Sequence, residues 1–290
     1  MWFVRWEHHI DIADNYFIDL VAGAFPAHHV VLSSQAPLLV FCLDCRAGLR
    51  HFGKYAAQTG AVLVNVQQEM QTDQDPHADF VMGFKRGTND GTGLYFPWAW
   101  TVFMFMRNFG PSSLIKPPEY NPLQLAAGKT HFCAFVFTNC NDIQHGKSQT
   151  NRTFRLSLFE KLSQYKFVHA PGACRHNIDD PNFVPRDDPR FHLTDLYENA
   201  VHYYKKFKFV FAMENAAIDG YQTEKLPGAM LANAIPIYWG NPSVAELFNP
   251  ASFINLNGMS VEVAAPPLSM RTAFQSSRDI ARSSAAHPMA

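Results

Sequence analysis

Between Lys208 and Gly240 the chain reads Lys-Phe-Val-Phe-Ala-Met-Glu-Asn-Ala-Ala-Ile-Asp-Gly-Tyr-Gln-Thr-Glu-Lys-Leu-Pro-Gly-Ala-Met-Leu-Ala-Asn-Ala-Ile-Pro-Ile-Tyr-Trp-Gly. Its chemistry lies in two carboxylates, Glu214 and Glu224, the amide of Asn215, the phenol of Tyr221 and the cation of Lys225. An apolar strand ending at Met213 would deliver Glu214 and Asn215 to the carboxyl edge of a sheet, where parallel sheets bind ligands. After a loop with Gly220 and Tyr221, Thr223-Glu224-Lys225 would open a helix. The free N–H groups and partial positive charge of a helix start suit a diphosphate. Lys225 adds a full charge, and Glu214 and Glu224 can accept sugar or ribose hydroxyls. The plain alternative is an ordinary strand, cap and helix with Thr223 as the cap.

Other clusters carry less. Cys42-Leu-Asp-Cys45 has the spacing of a zinc half-site or a redox pair, yet no second ligand pair follows, and a strand-end Cys behaves as a small hydrophobe. Asp73-Gln-Asp75 could hold a divalent metal through paired carboxylates, or be a solvated acidic loop. The adjacent pairs His8-His9 and His28-His29 point apart and chelate poorly. Asn151-Arg-Thr153 is a glycosylation sequon, meaningful only in a secretory lumen. No Walker A, GxGxxG, HExxH or nucleophile-elbow pattern occurs, which withdraws the usual support for NTPase, dehydrogenase, zinc-protease and hydrolase readings.

Hydrophobic periodicity supplies the elements that must position these groups. In the first part, Asn15–Ala24 and Ala47–Thr59 have helical spacing, while Ala36–Leu43, Ala61–Val66 and Asp79–Phe84 have strand length. A Pro-rich stretch from Pro111 to Pro122 opens a linker that ends near Thr130. In the second part the expected strands are His131–Thr138, Phe167–Ala170, Lys208–Met213, Ile235–Trp239 and Ser252–Leu256. The expected helices are Arg152–Tyr165, Asp195–Lys206, Thr223–Asn233 and a short Ser243–Phe248. Alternation of this kind implies parallel sheets with right-handed crossovers. After Gly258 the chain is rich in Ala, Ser, Pro and Met, and a tail that does not pack is expected there.

Composition agrees. The chain has 290 residues, 47% hydrophobic and 17% charged, enough to bury a sizeable core. A formal net charge of -1 gives no global field for nucleic acid or an acidic membrane. Five Cys, an odd number in a long chain, argue against a disulfide scaffold as the organising principle. No stretch reads as a membrane span, nor the first residues as a signal peptide, so a soluble chain is expected.

The Lys208–Gly240 stretch resembles the donor signature of glycosyltransferase family 10, the α1,3/α1,4-fucosyltransferases, and is closest to their bacterial branch. In that family Phe-Glu-Asn is followed by Tyr-Val-Thr-Glu-Lys, a Val/Ile-Pro-Ile strand and Gly. Similarity continues through Asn241-Pro-Ser-Val244 and Phe248–Asn255. Upstream it includes Phe132–Asn139, the Arg155-x-x-Leu-Phe-x-x-Leu162 helix, and, more weakly, His77–Phe84 and Asn15–Leu20.

The resemblance implies an α/β, GT-B type fold of two facing Rossmann-like domains with parallel sheets. Residues 1–123 would form the acceptor-side domain, 124–258 the GDP-fucose-binding domain and 259–290 the tail. Arg155 and Lys225 would contact the donor pyrophosphate; Asn215, Tyr221 and Glu224 would hold the nucleotide and fucose, with Glu214 close by. The general base would be Glu69, although Gln68 and Met70 stand where the family has Gly and Asn. The reaction implied is inverting transfer of L-fucose from GDP-fucose to a glycan hydroxyl, on N-acetylglucosamine and with α1,3 linkage favoured. No cofactor is required, and a divalent metal would be at most stimulatory. In a eukaryote the family is anchored in the Golgi membrane; a bacterial member would be cytoplasmic or peripheral. Two rival readings stand beside it: a metal-dependent glycosyltransferase using Asp73 and Asp75, and a catalytically dead nucleotide-sugar-binding protein.

Overall fold

The computed structural model describes residues 2–5, 8–9, 16–29, 31, 35, 37–43, 49–67, 77–87, 91–97, 128–140, 152–185, 188 and 196–264. The chain divides into two compact units. One comprises Met1–Gly110 with Asp219–Thr223; the other comprises Pro111–Ile218 with Glu224–Ala290.

The first unit holds β1 (Trp2–Arg5), β2 (His8–His9), α1 (Tyr16–Ala24), β3 (Leu39–Leu43), α2 (Leu49–Thr59), β4 (Val62–Val66), β5 (Phe80–Gly83) and β6 (Gly93–Tyr95). Its sheet runs in the order β2-β1-β3-β4-β5-β6. Every pair is parallel except β1 with β2, so the expected parallel sheet carries one antiparallel edge strand. Period-2 alternation sends Val40, Cys42 and Leu63 to one face, where Phe52 and Ala56 of α2 cover them. Phe41, Val64, Val66 and Met82 face the other way, toward Ile18 and Val21 of α1. Burial on both faces is why these strands read as unbroken apolar runs.

The second unit holds β7 (His131–Ala134), α3 (Arg152–Tyr165), β8 (Val168–His169), α4 (Leu196–Tyr204), β9 (Phe207–Met213), α5 (Lys225–Leu231), β10 (Ile235–Trp239), β11 (Ile254–Asn255) and α6 (Val261–Ala264). Single 3₁₀ turns lie at Val244–Glu246 and Pro250–Ser252. The sheet order is β11-β10-β9-β7-β8, all parallel. On β9, Phe209, Phe211 and Met213 pack with Leu158, Phe159 and Leu162 of α3. Val210 and Ala212 point to the opposite face, with Leu226 and Ala229 of α5.

Three details depart from expectation. Glu262 and Ala264 belong to α6, where an unpacked tail was expected from residue 259: Ala264 joins the core, and Lys161 bonds Glu262 at 3.3 Å. A disulfide joins Cys140 to Cys174, and Cys42, expected to be a free hydrophobe, is also disulfide-bonded. Lys129 is buried, and its Nζ donates to the carbonyls of Lys205 (2.8 Å) and Ala232 (3.0 Å), just past the ends of α4 and α5. A cation there meets carbonyls that have no partner within their helices. Among the described residues, no helix is long and apolar enough to cross a membrane.

Candidate active site

In the second sheet the chain changes direction between β7 and β9. From β7 it passes through α3 outward to β8; from β9 it passes through α5 outward to β10, on the other side. Such a reversal opens a crevice beyond the carboxyl ends of the two central strands, because the loops part to opposite sides. Arg155 stands in the first turn of the helix after β7, and Lys225 is the first residue of the helix after β9. Arg155 and Lys225 therefore stand at the starts of the two helices that flank the reversal.

Lys225 Nζ lies 3.5 Å from Glu214 Oε2 and 3.3 Å from Glu224 Oε1. These acids differ in their surroundings: the Glu214 side chain is 0% exposed, whereas Glu224 keeps 16% and Lys225 20%. Glu214 is therefore a buried counter-charge beneath Lys225. It is not an open acceptor for sugar hydroxyls, as its position at a strand end had suggested.

The next strand shapes that burial. Gly240 follows β10 with φ +155°, and a Cβ there would lie 2.5 Å from Glu214 Cγ. Tyr238 is also beside it; burial first, and the Glu214 charge second, push the phenol well above its ordinary pKa. The Tyr238 oxygen accepts from Asn241 N at 2.9 Å, which fixes the loop after β10.

Arg155 is 5% exposed. Its guanidinium carbon sits 4.2 Å above the Phe137 ring centroid, and its Nη2 donates to Asn139 O at 3.1 Å. A cation stacked on a ring and bonded to a carbonyl keeps one orientation.

The remaining candidates fall in three places. Asn215 is half-buried two residues past β9 in the second unit. Tyr221 is buried within the first unit, where its ring meets Phe84 edge-on at 5.0 Å; Asp219 pairs with Arg86 in the same segment. Glu69, Asp73 and Asp75, with Cys45, lie outside the described residues. Thr223 belongs to that first-unit segment, and Glu224, not Thr223, holds the cap position of α5, with no side-chain cap bond. Sequence reasoning did not find Phe137, Gly240 or the disulfide as parts of this region. Gly240 had a local signal as the Gly that closes the Ile-Pro-Ile strand, and Phe137 as part of the Phe132–Asn139 stretch.

Residues 126–266 match the model of glycosyltransferase family 10 (fucosyltransferase), C-terminal part. Over those residues the chain is similar to glycosyltransferase family 10. It is 45% identical over 132 residues to an α-(1,3)-fucosyltransferase of Helicobacter pylori, covering 44% of this chain and 24% of that protein. It is 36% identical over 94 residues to a GDP-fucose protein O-fucosyltransferase 3 of Xenopus tropicalis, covering 31% of this chain and 18% of that protein. The chain thus spans about a quarter or less of the length of these curated relatives. A crystal structure of an α1,3-fucosyltransferase with GDP-fucose superposes with a TM-score of 0.58 at 19% identity, over 90% of this chain and 75% of that one. At that identity the likeness establishes the fold. The chain is accordingly Rossmann-like in both units.

Proposed function

We propose that this chain is a member of glycosyltransferase family 10 and transfers L-fucose from GDP-fucose to a hydroxyl of a glycan acceptor. The observation that carries the reading is the placement of Arg155 and Lys225 on the two helices flanking the β7/β9 reversal. Both cations can donate charge-assisted hydrogen bonds to a diphosphate, which departs with the nucleoside when the anomeric C–O bond of a nucleoside-diphosphate sugar breaks.

In this reading the charge growing on departing GDP is met by Arg155, held on Phe137, and by Lys225, held on Glu214. Glu224, partly exposed beside Lys225, accepts a hydroxyl of fucose or ribose, and Asn215 contributes its amide. Glu69 takes the acceptor proton as the anomeric carbon gains oxocarbenium character, and attack from the opposite side inverts the centre. N-acetylglucosamine is the favoured acceptor, with α1,3 linkage. The chain's own cations carry the leaving-group charge, so the transfer requires no metal held by protein.

The test is incubation of purified protein with GDP-fucose and a panel of N-acetylglucosamine-terminated glycans, with and without chelator, and mass spectrometry of the products. The expected result is addition of one deoxyhexose in both arms. Loss of transfer in chelator would favour a metal site at Asp73 and Asp75. GDP binding without transfer would make the chain a nucleotide-sugar binder.

A further inference from the structure

The seat of Arg155 is built from two loops that are far apart in sequence. One is the exit of β7: Phe137 supplies the ring beneath the guanidinium and Asn139 the carbonyl that accepts from it. The other is the loop after β8. There Asn177 closes the backbone on itself, its Oδ1 accepting from Ala170 N at 2.9 Å and its Nδ2 donating to Val168 O at 2.9 Å. Cys174 N then donates to Phe137 O at 2.9 Å. Gly172 faces the same carbonyl so closely that a Cβ would lie 2.6 Å from it. Cys174 is 1% exposed and sits in the core, and Cys140, one residue past Asn139, is bonded to it.

The rigid loop after β8 therefore holds the β7 exit at two points. One is a backbone hydrogen bond at Phe137. The other is covalent, at Cys140, beside the carbonyl that Arg155 uses. A disulfide restricts how far its two segments can separate, and here one segment is packed in the core. We propose that the Cys140–Cys174 disulfide is a positioning element for Arg155, so that the donor site reaches full affinity only in oxidised protein. The inference rests on the reading of Arg155 as a diphosphate ligand. On reduction each sulfur takes one electron and one proton from a dithiol such as dithiothreitol, which closes to its own cyclic disulfide. The β7 exit then keeps its backbone bonds but loses the covalent tie at Cys140 beside the Asn139 carbonyl, and Arg155 loses its fixed orientation.

The experiment is a double-mutant cycle read by calorimetric titration with GDP. The full chain is compared with Cys140→Ser/Cys174→Ser, Arg155→Ala, and the combination. The disulfide change should weaken GDP about tenfold where Arg155 is present, the loss of roughly one charge-assisted contact. In the Arg155→Ala background the same change should alter GDP affinity by less than about twofold. Equal losses in both backgrounds would make the disulfide a general structural crosslink and overturn the proposal, as would no loss with Arg155 present. Should the serine variant fold poorly, folded protein is reduced with dithiothreitol and titrated directly. Alkylation and mass spectrometry confirm reaction at Cys140 and Cys174, and the same comparison with Arg155→Ala decides. If Arg155→Ala itself leaves GDP binding unchanged in oxidised protein, it is the reading of Arg155 that fails.

Discussion

Replacing Lys225 with Met separates two roles that the structure gives this residue. Its ammonium is the charge partner of Glu214, a carboxylate with a fully buried side chain, at 3.5 Å. Removing one partner of a buried pair costs about 3–5 kcal/mol. Lys225 is 20% exposed, and a stranded acid can take up a proton, so a loss nearer 2–3 kcal/mol is expected. Adding Glu214→Gln removes the stranded charge and should return stability to within about 1 kcal/mol of the parent. GDP binding should not return with it. Losing one charge-assisted contact to the diphosphate is worth about 1.5–3 kcal/mol, or about 10- to 150-fold in affinity, in the single and the double variant alike. Denaturant unfolding at pH 7 gives the first quantity and calorimetric titration with GDP the second. Recovery of full GDP affinity in the double variant would show that Lys225 serves only to neutralise Glu214. Unchanged stability in the single variant would contradict the buried pair.

Three further outcomes can be checked with the same methods. Asp180 is held at about pKa 2: burial alone would raise it, but the Lys206 ion pair and bonds from Asn182 outweigh that. Because the folded value is depressed below the ordinary 3.8, its contribution of about 2 kcal/mol is present above pH 4 and lost as pH falls through 2. Asp180→Asn should therefore destabilise by about that amount at pH 7 and by almost nothing near pH 2, and equal losses at both would refute the linkage. Gly240→Ala adds a Cβ into the Glu214 side chain at a positive φ; it should cost about 1–3 kcal/mol and weaken GDP binding, and thermal melting with titration would expose a harmless change. Glu69→Gln should slow transfer by about 10²–10⁴-fold with GDP-fucose affinity near normal; turnover within a few-fold of the parent would move the base elsewhere.

Much of the second unit was legible because its signals are local. Arg152–Tyr165 and Ile235–Trp239 fall where apolar periodicity placed them, and β9 begins one residue earlier, at Phe207. The strands β1, β2 and β6 have four, two and three residues, too few for a period-2 pattern to declare itself. The start of α5 was misjudged by two residues, since Thr223 packs with the first unit while the helix begins at Lys225. At the site, residue types were readable and environments were not. Glu214 looked like a hydroxyl acceptor from its place after a strand; its burial depends on Gly240 and Tyr238, which come more than twenty residues later. The Cys140–Cys174 pairing spans 34 residues and leaves no local trace, while the closer Cys42-x-x-Cys45 spacing drew attention away from it.

The central claim is that the crevice at the β7/β9 reversal holds the diphosphate of GDP-fucose between Arg155 and Lys225. A crystal structure of this chain soaked with GDP tests it most directly. The account predicts diphosphate oxygens within hydrogen-bond distance, about 2.7–3.2 Å, of the Arg155 guanidinium and of Lys225 Nζ. GDP seated with its diphosphate away from both cations, or bound at the first unit's sheet alone, would contradict it.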